Sequence, residues 1–82
     1  MDEPIRLHIV SPEREVVDAK VSSVTLPGVV SPFQVLRGHA PLLTALTPGV
    51  IRYTSQGKEH SVTVSSGFVE VRDNEVRVAA EL

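Results

Sequence analysis

The side chains that could do chemistry in this chain are three histidines, scattered serines and ten acidic residues. His8, His39 and His60 show no close ligand spacing such as H-x-x-x-H, and no acidic cluster accompanies them along the sequence, so no metal site is expected. His8 and His60 stand at the polar positions of alternating segments, which assigns them to solvent. A serine nucleophile needs an activating turn. "VSSG" at Val64 to Gly67 lacks the G-x-S-x-G elbow, and Ser65-Ser66-Gly67 reads instead as a bend between paired strands. "LPGVVSPF" holds a single glycine and no lysine, so neither a phosphate loop nor a dinucleotide fingerprint is present. Glu13 with Glu15, and Glu59 with Glu70, lie among lysines and arginines on strand faces and read as solubilising charges rather than an acid–base pair. With no cysteine, no nucleophile constellation and no cofactor motif, no catalytic, metal or cofactor-binding residue is expected, and the chain is not expected to be an enzyme.

What, then, must these residues sit on? The 82 residues suffice for one small domain, spanning 1–82. A net charge of -2 without charge runs argues against nucleic-acid binding and against a polybasic membrane patch. No apolar run approaches the ~20 residues of a membrane helix, so direct membrane insertion is not expected. "MDEPIRLHIV" resembles neither a signal nor a transit peptide, and a soluble, cytosolic-type domain is expected. Apolar residues alternate with polar ones from end to end. Ile5, Leu7 and Ile9 face one way and Arg6 and His8 the other; Val24 and Leu26 continue a buried face up to Pro27-Gly28. Ile51 and Tyr53 pair with Val62 and Val64 across a turn at Ser55-Gln56-Gly57, and Val69 and Val71 with Val76 and Val78 across Asp73-Asn74. Turns arriving about every 8–12 residues predict an all-β sandwich or barrel.

Two stretches break the alternation. Residues 27–41, "PGVVSPFQVLRGHAP", concentrate proline, glycine and exposed-looking apolar side chains. Val29, Val30 and Phe33 either fold back to plug one end of the sandwich or form a recognition loop, since apolar residues on a rigid turn are what interfaces use. In "LRGHAPLLTALTPGV", residues 36–50, Leu42, Leu43 and Leu46 fit a short helix between Pro41 and Pro48 about as well as a buried strand.

The order of these segments resembles the N-terminal β-sandwich domain of the F-type ATP synthase epsilon subunit, delta in mitochondrial nomenclature. "IVSPEREVVDAKVSSVTLPG", "FQVLRGHAPLLTALTPGVIRY" and "VSSGFVEVRDNEVRVAAE" follow one another as in that family, and "GHAPLLTAL" with its following "PG" is the most specific element. The resemblance implies a flattened sandwich of two roughly five-stranded, mainly antiparallel sheets. It implies a non-catalytic rotor subunit of the central stalk that binds the gamma subunit and the polar loops of the membrane c-ring, and meets the alpha/beta hexamer only indirectly. Such a subunit supports coupling of proton translocation to ATP synthesis, as a peripheral protein at the cytoplasmic face of a bacterial plasma membrane. Carried over by position, Gly28, Val29, Val30, Ser31, Pro32 and Phe33 form the ring-facing loop. Ser11, His39 and Thr44 match gamma-facing positions. In that setting the "PLLTAL" leucines become a buried strand that holds the loop still.

Three departures from the family pattern modify these expectations. Where the family has "G-E-F-G", this chain has Ser31-Pro32-Phe33-Gln34 and so lacks an acidic residue at the ring contact. Shape and apolar contact from Val29, Val30 and Phe33 take its place. "L-P-G-H" is replaced by Leu36-Arg37-Gly38-His39, and Arg37 adds a charge available to either partner, grouped here with the gamma-facing residues. Finally, the sequence stops at Glu81-Leu82, before the two-helix hairpin through which many relatives restrain hydrolysis. The absence of a helix start after Ala80 favours a natural end over a truncated one, and the helical inhibitory switch is expected to be missing. An apolar face without its partner is expected to self-associate. The alternative is a free-standing β-sandwich module that binds a small ligand or peptide at the 27–41 loop.

Overall fold

A computed structural model describes residues 3–82. Among these, nine strands follow one another: β1 (Ile5–Val10), β2 (Glu15–Val21), β3 (Ser23–Leu26), β4 (Phe33–Val35), β5 (Leu42–Leu46), β6 (Gly49–Ser55), β7 (Lys58–Val64), β8 (Ser66–Arg72) and β9 (Glu75–Glu81). They form a five-stranded sheet in the order β2-β1-β9-β8-β5 and a four-stranded sheet in the order β4-β3-β6-β7. The all-β sandwich is therefore as expected, with one strand fewer in the second sheet. All pairings are antiparallel except β1 with β9, where the first and last strands lie side by side in parallel.

Period-2 alternation builds the core. Ile5, Leu7 and Ile9 of β1, Val69 and Val71 of β8 and Val76 and Val78 of β9 turn inward, and meet Val24, Leu26, Val35, Ile51 and Val64 of the other sheet. The core is almost wholly β-branched or leucine, and no polar side chain is buried among the described residues. Such side chains fill a layer about 10 Å thick between two sheets, which suits the short principal extent of 17 Å.

Two hairpins close where the sequence signals them. Gln56-Gly57 and Asp73-Asn74 hold both central residues at positive φ (53° and 75°, 52° and 58°), the geometry whose twist matches flanking strands. Asparagine, aspartate and glycine enter that region at little cost; Gln56 does not, and its amide donates to the Glu3 carboxylate. Where Ser65 was expected to bend between paired strands, it instead carries the chain from the four-stranded to the five-stranded sheet, its amide donating to the Glu81 carbonyl at 2.8 Å.

The "PLLTAL" segment is a strand, which settles the helix alternative. It is not a buried one, however. As β5 it forms an edge of the five-stranded sheet: Leu46 is buried, but Leu43 stays 72 % exposed. Pro41 and Pro48 bracket it, and only its far end is covered, where Gly28 bridges Leu46.

Candidate partner-binding surfaces

The 27–33 loop is anchored at one end and free at its tip. The Val29 amide donates to the Ala45 carbonyl (3.0 Å) and the Thr47 amide to the Pro27 carbonyl (2.8 Å), stitching the loop to β5. Gly28 sits where a Cβ would lie 2.7 Å from the Ser31 carbonyl oxygen and 3.0 Å from the Phe33 ring, so only glycine lets the loop fold over itself. Phe33 starts β4 and packs against the core, whereas Val29 is 55 % and Val30 90 % exposed. The two readings of this stretch thus divide within it: Phe33 plugs, and Val29 and Val30 are displayed, with Ser31 and Pro32 exposed beside them.

The 36–40 loop turns through Gly38, at φ 80°, with the His39 amide donating to the Leu36 carbonyl. Its backbone is tied down by a residue distant in sequence: the Gly38 amide donates to Asn74 Oδ1 at 2.8 Å. His39 donates through Nδ1–H to the Ala40 carbonyl (2.7 Å), and its ring lies 6.3 Å from that of Phe33, so the two loops pack on one another. Arg37 is exposed. Asn74→Gly keeps the left-handed turn but removes the tether. It should cost about 0.5–1.5 kcal/mol in urea unfolding, the worth of one hydrogen bond; Asn74→Ala, which also strains the turn, should cost about 1 kcal/mol more.

Ser11, Arg37, His39 and Thr44 do not form one cluster. Ser11 closes the β1–β2 turn, exchanging hydrogen bonds with Arg14, at the sheet end where Val10 pairs with Ala79. Gly38, between Arg37 and His39, is tied to the opposite end at Asn74, in the turn before β9 and five residues from Ala79, or about 16 Å at the usual strand rise. Thr44 lies midway along β5, half-buried.

The outer face of the five-stranded sheet is ordered in cross-strand rows that sequence reasoning did not bring out. Arg72, Glu75, Arg6 and Lys20 form one row, and Leu43, Glu70, Arg77, His8 and Asp18 the next. The third, Ala45, Phe68, Ala79 and Val10, is apolar across four strands, with the small Ala79 between larger neighbours, and ends on β2 at Glu15. Together with Ser11 and Pro12 its apolar residues line an open groove of about 530 Å³. Phe68 is the signal that was available: it stands out of phase with Val69 and Val71, at a position the alternation reserves for polar residues, and is 63 % exposed.

The sheet also corrects one expectation about the histidines. His8 Nε2 lies 2.7 Å from Glu15 Oε2, and Asp18 completes a group whose ligand atoms all fall within 4.8 Å. The pairing of β1 with β2 assembles what sequence spacing does not. Asp18 is already held in a two-pronged hydrogen bond by Arg6, a cation that competes with any metal ion for the same oxygens.

Residues 4–82 match the family model described as ATP synthase, delta/epsilon chain, β-sandwich domain. The ATP synthase epsilon chain of Carboxydothermus hydrogenoformans is 44 % identical over 80 residues, covering 98 % of this chain and 60 % of its own length. That of Pelotomaculum thermopropionicum is 46 % identical over 79 residues, covering 96 % and 59 %. The chain thus spans about three-fifths of the relatives it matches. Among solved structures, a chain of the Euglena gracilis mitochondrial ATP synthase (OSCP/F1/c-ring) superposes with a TM-score of 0.88 at 23 % identity, over 98 % of this chain and 52 % of that one. A chain of the Tetrahymena thermophila mitochondrial enzyme (central stalk/c-ring) gives 0.80 at 15 %, over 99 % and 66 %. These two likenesses establish a shared fold.

Proposed function

The chain belongs to the β-sandwich family of the ATP synthase delta/epsilon chain, and from that premise we propose that it is a non-catalytic subunit of the rotor's central stalk. It joins the gamma subunit to the polar loops of the c-ring and so supports coupling of proton translocation to ATP synthesis. It meets the alpha/beta hexamer only through gamma, and resides peripherally at the cytoplasmic face of a bacterial plasma membrane. Ser11, Arg37, His39 and Thr44 face gamma; Gly28 to Phe33 face the ring.

The observation that carries this reading is the 27–33 loop. Its base is stitched to β5 while Val30 stands 90 % exposed at the tip, and a lone domain gains nothing by holding such a side chain out in water. The Phe33–His39 contact links the ring-facing loop to a gamma-facing one, as a part that transmits torque between two partners requires. The ligand-binding alternative finds less support, because the 530 Å³ groove is lined by none of residues 27–41.

Purified gamma should bind the domain through an interface burying about 1,200–2,000 Å² in total. Arg37→Glu and His39→Ala should each weaken that binding about tenfold in titration calorimetry, beyond what any loss of folded protein explains. Failure of the unmodified domain to bind gamma would sink the proposal. Variants that melt early instead would make these side chains structural.

A further inference from the structure

We infer that the free half of β5 is a strand-addition site, where the main chain of Leu43–Ala45 accepts an extended apolar segment of the partner protein. The inference rests on the stalk reading for the partner's identity and specifies how that partner is held. Its starting point is the direction of the β5 amides. The Ala45 carbonyl accepts from Val29, on the side away from β8. Main-chain groups of a strand alternate in direction, so those of Leu43 point the same way, while those of Leu42, Thr44 and Leu46 bond to β8. The Leu43 amide, the Leu43 carbonyl and the Ala45 amide thus line an open edge.

Open edges are normally blunted by charge, shortness or irregularity, and the other three edge strands conform. β2 carries Glu15, Asp18 and Lys20, and its pairing with β1 shifts register beside Val10; β7 carries Lys58, Glu59 and His60; β4 has three residues. β5 carries neither a charge nor a bulge; the bracketing prolines and the Gly28 bridge protect its ends and leave Leu43–Ala45 uncovered. No charged residue occurs from Ala40 to Ile51. The chain itself demonstrates the use of this edge, since Gly28 adds to it as a one-residue bridge at Leu46. The occupant's chemistry follows from the edge itself: Leu43 is 72 % exposed, and β5 has no charge to reward a polar strand. Pro41 and Pro48 limit the added strand to about three or four residues.

Amide hydrogen exchange of the 15N-labelled domain, alone and saturated with purified gamma subunit, tests this. The Leu42 and Thr44 amides should be protected in both states. The Leu43 and Ala45 amides should exchange freely alone and at least about tenfold more slowly in the complex. Leu43→Pro removes an outward amide and no bond to β8, and should weaken gamma binding at least about tenfold, whereas Leu43→Ala, which keeps the amide and an apolar side chain, should weaken it clearly less than the proline does. A complex in which Leu43 and Ala45 exchange as in the free domain overturns the inference and leaves the stalk reading intact, whether or not the proline variant folds. Absence of any complex defeats the stalk reading itself. Concentration-dependent protection without gamma would assign the edge to a second copy of the chain and overturn the inference as stated.

Discussion

Gly67→Ala should cost the domain about 3–5 kcal/mol. Gly67 lies in β8 between Ala80 of β9 and Leu46 of β5. A Cβ built there falls 2.5 Å from the Ala79 carbonyl oxygen and 2.9 Å from the Ala80 Cα. Both obstacles are main chain, so no rotamer change relieves them, and two ladders must part. A chain of this size is held by only about 4–12 kcal/mol in total, so the loss is a large fraction of its stability. Urea unfolding followed by circular dichroism measures it. A midpoint within about 0.3 M of the parent would mean that the sheet yields locally and the close approach carries no stability.

Gly28→Val is the corresponding prediction for function. Its γ-methyls would extend the Cβ that already meets the Ser31 carbonyl at 2.7 Å and the Phe33 ring at 3.0 Å. The ring can withdraw only by leaving its place against the core and its contact with His39. The domain should lose about 2–3 kcal/mol, and the Val29–Pro32 tip should be displaced. If that tip faces the c-ring, affinity for detergent-solubilised ring should fall at least about tenfold, beyond what the unfolded fraction explains, while gamma binding at saturating protein survives. Ring affinity that is retained by the folded fraction would remove the loop from the contact.

How much of this was legible in the sequence depended on where the pattern stays in phase. β1, β8 and β9 alternate cleanly, and their buried residues were assigned correctly, because one face of each meets the core; in β6 only Ile51 is fully buried and Tyr53 is half-buried. β2 escaped notice for a physical reason: its register shifts as Ile9 pairs with Val17 but Val10 with Glu15, so Val16 and Val17 are both half-buried and the period is lost. β5 was visible as an apolar run but not as an edge, since burial on one side only cannot be told from burial on two by composition. The Asn74–Gly38 tether and the His8–Glu15–Asp18 group join residues from different elements. Only the topology decides such meetings. Phe68 is different; its phase was readable, and the apolar row it belongs to could have been anticipated from it.

The parallel pairing of β1 with β9 governs how the molecule is made. Arg6 lies beside Glu75, and Val10 beside Ala79, so during synthesis β1 waits for β9 before it has a neighbour on that side. Until then β1 and β8 face an empty slot at the centre of the sheet, and the core residues Val76, Val78 and Ala80 are not yet present. Contacts this distant in sequence slow folding and expose unpaired strands in the interval. The domain should therefore become competent for assembly in one late step after synthesis of its final strand, not gradually as the chain emerges.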